Sequence, residues 1–183
     1  MYQALIDDAE METGCACSLV NLENYDGFVE KVKEDPVAGL FRFAAKTEWK
    51  GGTVTETTAR GRSIVADEPE ALGGRDSAAD PVELLLAALT SCVSIGIATQ
   101  AAKRGVQLQD FEIEIGGDID LRGYFGLDSD VRPGYTGIEY VVRVKSEADR
   151  EVIEDILRTA ERTSPMLDNI RNGVPVSSRL EMA

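Results

Sequence analysis

The sequence predicts an α+β fold in which antiparallel sheets wrap one long, buried helix. Three observations carry this. From Val82 to Ala102 the only charged residue is Glu83, so a helix here is apolar on nearly every face and has to be covered on nearly every face. On both sides of this run, in 40–67 and again in 108–144, apolar and polar residues alternate with a period of two, as half-buried strands do. The resulting order is three strands, long helix, two strands, helix, short helix, strand. It lacks the regular alternation of a doubly wound sheet.

Length favours one main domain, residues 39–183, preceded by an N-terminal appendage, residues 1–38. A hydrophobic content of 43% is enough for a real core. With 33 acidic and 19 basic residues the net charge is −14, which repels nucleic acid and anionic lipid, so no nucleic-acid or membrane partner is expected. The run 80–104 is long enough to span a bilayer. Thr90, Ser91, Ser94, Thr99 and Gln100 interrupt it, however, and favour the central helix of a soluble domain. The opening MYQALIDDAEMETG is acidic and unlike a secretory leader, and a cytoplasmic location is expected. The chain has no histidine, which removes Ser-His-Asp and Cys-His catalysis and His-ligated zinc. Three cysteines make no disulfide framework, no phosphate-binding glycine motif is present, and no cofactor is expected.

Taken in order, Cys15 and Cys17 form a lone C-x-C, too few ligands for a structural zinc site. Tyr25 to Glu34 is a short amphipathic stretch whose Phe28, Val29 and Val32 are expected to cover an edge of the main fold. From Leu40 a three-stranded meander turns at Lys50-Gly51-Gly52 and Arg60-Gly61, with Phe43 and Trp49 as core or interface residues. Glu68 to Asp80 is a loop leading into the long helix. Asp80 caps that helix, Pro81 suits its first turn, Glu83 completes a capping box, and Lys103, Arg104 and Gly105 end it. A strand follows with a bulge or bend at Gly116-Gly117, then a loop over Gly123–Gly137 and a strand over Ile138–Val144. Ser146 is expected to cap a helix whose stripe is Val152, Ile153, Ile156 and Leu157. Ser164-Pro165 opens a short helix to about Arg171, and VPVSSRL closes the chain as an edge strand.

Cys92 is the one thiol placed on the long helix. From its surroundings in sequence it reads either as a small buried hydrophobe or as a reactive thiol. It lies in mid-helix, away from the dipole's positive end, and without histidine only a cation is left to activate it.

The helix entry DPVELLLAALTSC, the element order, the Ser-Pro helix start and the VPVSSRL tail resemble the OsmC/Ohr superfamily, the osmotically inducible and organic-hydroperoxide-resistance proteins, over about residues 40–181. The resemblance implies an OsmC-like fold: an intertwined homodimer whose two central helices are wrapped by sheets from both chains. It also implies reduction of organic hydroperoxides by a thiolate on this helix, through a sulfenic acid that becomes a disulfide with a second cysteine, while an arginine and a glutamate polarise the first thiol. Carried onto this sequence, Cys92 takes the first-cysteine position and Ser164 the second, where a hydroxyl forms no disulfide. Val82 stands where the family glutamate falls and Glu83 is one residue nearer, its alternative role being cap partner to Asp80. Arg75 is the first choice for the arginine, with Arg60 or Arg62 second. The expected function is a one-cysteine thiol-dependent peroxidase, its partners a second copy of the chain, a small organic hydroperoxide and an external thiol reductant. The alternative is a non-catalytic dimer that binds an apolar ligand or senses redox state.

Overall fold

In a computed structural model that describes residues 19–182, the chain divides into two compact units, residues 21–88 and the residues from Leu89 onward with Leu19 and Val20. In the first unit, helix α1 (Leu22–Glu34) starts where the Asn21 side chain accepts the Asn24 amide at 2.9 Å, and a single 3-10 turn (Pro36–Gly39) follows it. Phe28 meets Phe41 edge-on, with ring centroids 5.7 Å apart. The amphipathic face of α1 thus packs on the chain directly after it, and no residue of α1 is fully buried.

Strands β1 (Lys46–Gly51), β2 (Val54–Ala59) and β3 (Arg62–Ala66) form the expected antiparallel meander in that order. The first strand begins at Lys46 and not at Leu40. Lys46 is opposite Thr58, one residue from the end of β2, so from Ala44 back the chain runs past the end of that strand. Arg60 (φ 50°) and Gly61 (φ 75°) are both left-handed, the backbone that a two-residue hairpin needs to match strand twist. Phe43 and Trp49 are 85% and 73% exposed, so they are not core residues of this chain.

Helix α2 (Pro81–Lys103) runs from the first unit into the second. Its buried residues are Leu89, Val93, Ile97 and Ala101, a stripe of every fourth residue, whereas Ile95 is 68% exposed. The expectation that all its faces are covered therefore does not hold within one chain.

In the second unit, β4 (Asp110–Ile119) and β5 (Tyr135–Lys145) pair antiparallel. Phe111, Ile113, Ile115, Ile138, Tyr140, Val142 and Val144 pack on the core. On the outer face Arg143 pairs with Glu112 and Glu114 at 3.0 and 2.8 Å. The strand passes straight through Gly116-Gly117, and the irregularity falls at Asp118/Ile119. Gly117 answers a close approach instead: a Cβ there would lie 2.6 Å from the Gly137 carbonyl oxygen. The segment after β4 opens with a short helix, α3 (Leu121–Tyr124), capped by Asp120.

Helices α4 (Arg150–Arg162) and α5 (Pro165–Asn172) complete the unit, with Ile156, Ala160 and Leu167 in the core. Ser146 does not cap α4, which begins after Asp149. Its hydroxyl donates to the Gln107 carbonyl at 2.6 Å and accepts the Ala148 amide at 3.2 Å, so it clamps a turn. VPVSSRL forms no strand in this chain, because it pairs with no described strand, and Val176 is 89% exposed.

One seam organises the second unit. Toward the end of α2, Arg104 pairs with Asp155 at 3.0 Å and donates to the Thr159 hydroxyl at 3.3 Å. Midway, a Cβ added at Gly96 would lie 3.0 Å from the Ala160 Cβ. Earlier on α2, Cys92 meets Ser164 at 3.3 Å. The pairings run 104 with 155, 96 with 160 and 92 with 164, so the two helices are antiparallel along a ridge where a missing side chain allows close approach. Gly96→Leu is expected to cost about 1–3 kcal/mol from overpacking, more than the gain of up to about 1 kcal/mol from better helix propensity. Urea unfolding followed by circular dichroism measures the net loss.

Candidate functional site

The thiol sits on that seam. Cys92 is a half-buried free cysteine, flanked on its helix by the buried Leu89 and Val93. Against it lies Ser164, only 4% exposed. The sequence Ser-Pro puts this serine at the N-cap of α5, where its oxygen accepts the Leu167 amide at 3.3 Å. Its hydroxyl reaches Cys92 Sγ at 3.3 Å. The hydroxyl at the position where the resemblance implies a second cysteine is thus in hydrogen-bond contact with Cys92. Close by in sequence, at the end of α4, Glu161 accepts a short hydrogen bond from the Tyr140 hydroxyl. Burial, and then the Glu161 carboxylate, push the Tyr140 phenol well above its usual range.

The other sequence-predicted residues belong to the unit 21–88. Glu83 accepts the Asp80 amide at 2.9 Å, and Asp80 accepts the Val82 amide at 2.7 Å, a complete capping box. Glu83 is nine residues before Cys92 in the sequence. The Arg75 side chain is exposed and in no ion pair among the described residues, as are the turn residues Arg60 and Arg62. Cys15 and Cys17 lie outside the described residues.

The loop that carries Arg75 is held by a residue the sequence reading passed over. Asp67 is 1% exposed and accepts five hydrogen bonds. They come from the Thr53 hydroxyl (2.5 Å) and the Glu68 amide (2.9 Å) on one oxygen, and from the Arg75 amide (3.2 Å), the Ser77 amide (3.1 Å) and the Ser77 hydroxyl (2.7 Å) on the other. The Thr53 and Ser77 hydroxyls, then the amides, hold its carboxyl well below the usual carboxylate range. Gly74 admits no side chain, since a Cβ would lie 1.7 Å from the Glu68 carbonyl oxygen. An aspartate closing an apolar strand before a Gly- and Ser-rich loop was the available signal for this hub. Gly96 was likewise visible as a glycine in mid-helix, a residue kept there for packing.

The profile of the OsmC-like protein family matches residues 74–179, more than half of the chain. The chain belongs to the OsmC family, and its fold is that of OsmC-like structures. It is similar to the OsmC-like protein from Mycoplasma pneumoniae at 12% identity, covering 72% of this chain and 88% of that one with a TM-score of 0.62. It is also similar to the organic hydroperoxide resistance protein OsmC from Legionella pneumophila at 18% identity, covering 73% and 92% with a TM-score of 0.56. An organic hydroperoxide resistance protein from Elizabethkingia anophelis gives 17% identity, 72% and 89% coverage and a TM-score of 0.54. No curated protein sequence gives a significant match.

At the helix entry, burial and then a hydrogen bond to the neighbouring Asp80 carboxyl raise the Glu68 carboxyl above its usual range, with Asp67 adding negative charge. A carboxyl raised on folding binds its proton more tightly in the folded state, so stability falls as pH rises through the interval above the ordinary glutamate value. Glu68→Gln is therefore expected to have a higher Tm than the parent at neutral pH. That difference should shrink toward zero near pH 4, about the reference value for glutamate, when both proteins are scanned by calorimetry. The Asp67 contribution has the opposite sign and is common to both proteins.

Proposed function

We propose that this OsmC-family chain is a one-cysteine, thiol-dependent peroxidase acting on small organic hydroperoxides through Cys92. The observation that carries the reading is the Cys92–Ser164 pair. The thiol sits beside a buried hydrogen-bond donor, and the position that supplies a second thiol in the expected two-cysteine cycle supplies a hydroxyl here. The Cys92 thiolate attacks a peroxide oxygen, an S–O bond forms, the O–O bond breaks, and the leaving alkoxide takes a proton and departs as alcohol. The sulfur is now a sulfenic acid. Ser164 forms no disulfide with it, so an external thiol attacks the sulfenic sulfur and water leaves. A second external thiol then attacks this mixed disulfide, freeing Cys92 and carrying away an external disulfide. Cumene hydroperoxide consumption with dithiothreitol as reductant is expected to turn over repeatedly, and Cys92→Ser is expected to abolish it. Consumption that survives Cys92→Ser contradicts the proposal, and oxidation of Cys92 once without turnover favours redox sensing.

The same reading makes the working unit a homodimer. Support comes from apolar side chains that one chain leaves uncovered: Ile95 on α2, Phe41, Phe43 and Trp49 around the first strand, and Val176 and Leu180 in the tail. Ile95→Glu is expected to weaken self-association by about tenfold or more, because a charge enters an apolar contact. Sedimentation velocity across a dilution series measures the change.

A cleft of about 400 Å³ favours the second reading, a non-catalytic protein for an apolar ligand. It is lined by Ile97, Val142, Val144, Ile153 and Leu157 with the Arg150–Glu154 ion pair. Native mass spectrometry of the purified protein detects a retained ligand, and binding that persists in Cys92→Ser separates it from thiol chemistry.

A further inference from the structure

We infer that Ser164 is the activating hydrogen-bond donor of Cys92, a role resting on the reading of Cys92 as the reactive thiol and placed on a residue with no redox chemistry of its own. Three observations lead there. Ser164 is 4% exposed, so no bulk water competes for its hydroxyl. Its oxygen is occupied as the N-cap of α5, accepting the Leu167 amide, while its own amide donates to the Glu161 carbonyl. The cap fixes the side chain, and the hydroxyl proton is directed at Cys92 Sγ, 3.3 Å away. Finally, the chain has no histidine to perform this task, and Glu83 is engaged at the Asp80 amide.

A donor of this kind acts on the charge state of sulfur. A hydrogen bond to an ion is stronger than one to a neutral acceptor, so it favours the thiolate over the thiol. The amide end of α5, an eight-residue helix, adds partial positive charge on the same side. Because serine does not oxidise, the donor survives each turnover unchanged. The position therefore has a function beyond the absence of a second cysteine: it replaces a redox partner with an electrostatic one.

The test needs no peroxide and so is independent of whether the protein turns over. The rate of iodoacetamide alkylation of Cys92, followed by peptide mass mapping to separate it from Cys15 and Cys17, is measured against pH. Ser164→Ala is expected to move the midpoint upward, from the loss of a charge-assisted hydrogen bond. Ser164→Thr keeps the hydroxyl and is expected to stay close to the parent. If Ser164→Ala does not fold, Ser164→Val against Ser164→Thr makes the same comparison at constant shape. A midpoint that is unchanged or lower in the variant lacking the hydroxyl overturns the inference, whereas loss of the cap alone lowers Tm and leaves the midpoint where it was. An upward shift in a protein that consumes no hydroperoxide upholds the role of Ser164 and rejects the peroxidase reading alone.

Discussion

The seam between α2 and α4 is the constraint on which the thiol site depends. Leu89, Val93, Ile97 and Ala101 turn one stripe of α2 inward, and Gly96, on the adjoining ridge, lets Ala160 come to contact distance. Cys92 is four residues, about one turn, before Gly96 on α2, and Ser164 follows the end of α4 as the N-cap of α5, so the antiparallel approach that joins 96 to 160 continues to 92 and 164. Arg104 with Asp155 and Thr159 holds the other end of the seam. The 3.3 Å contact at the thiol is a product of packing along the whole interface.

The first unit solves a different problem, how to hold a glycine-rich loop in one shape. It does so with one nearly inaccessible carboxylate. Asp67 gathers donors from β2's leading turn and from both sides of the loop, and each donor is a polar group that would otherwise compete for water. A carboxylate accepting several hydrogen bonds prefers to stay ionised. Its neighbour Glu68 is pushed the other way, by burial first and then by Asp80. Two adjacent acids thus respond to pH in opposite senses.

Much of this architecture was legible in the residues. The Asp80-Pro81-x-Glu83 entry, the meander turn at Arg60-Gly61 and the Ser164-Pro165 helix start are local signals, each set by a few neighbouring residues, and the structure forms them as expected. Signals whose meaning depends on distant partners were not readable. The apolar run of α2 states that the helix needs cover without saying how much one chain supplies, and VPVSSRL has strand character but pairs with no strand among the described residues. Ser146 had the right chemistry for a cap but found the Gln107 carbonyl instead. Cys92 and Ser164 were picked out by the family resemblance, yet the contact between them spans 72 residues and comes only from helix packing. Glu83, a cap partner from its spacing and a catalytic candidate only through the family resemblance, makes the cap.

Two descriptions of Cys92 therefore compete, a packing residue and a nucleophile, and the second is the central claim. Chemical trapping separates them most directly. The folded protein is treated with one equivalent of cumene hydroperoxide in the presence of dimedone, which captures sulfenic acids, and its cysteine peptides are analysed by mass spectrometry. The account predicts a dimedone adduct on the Cys92 peptide. A Cys92 recovered as unmodified thiol while the hydroperoxide persists would contradict it.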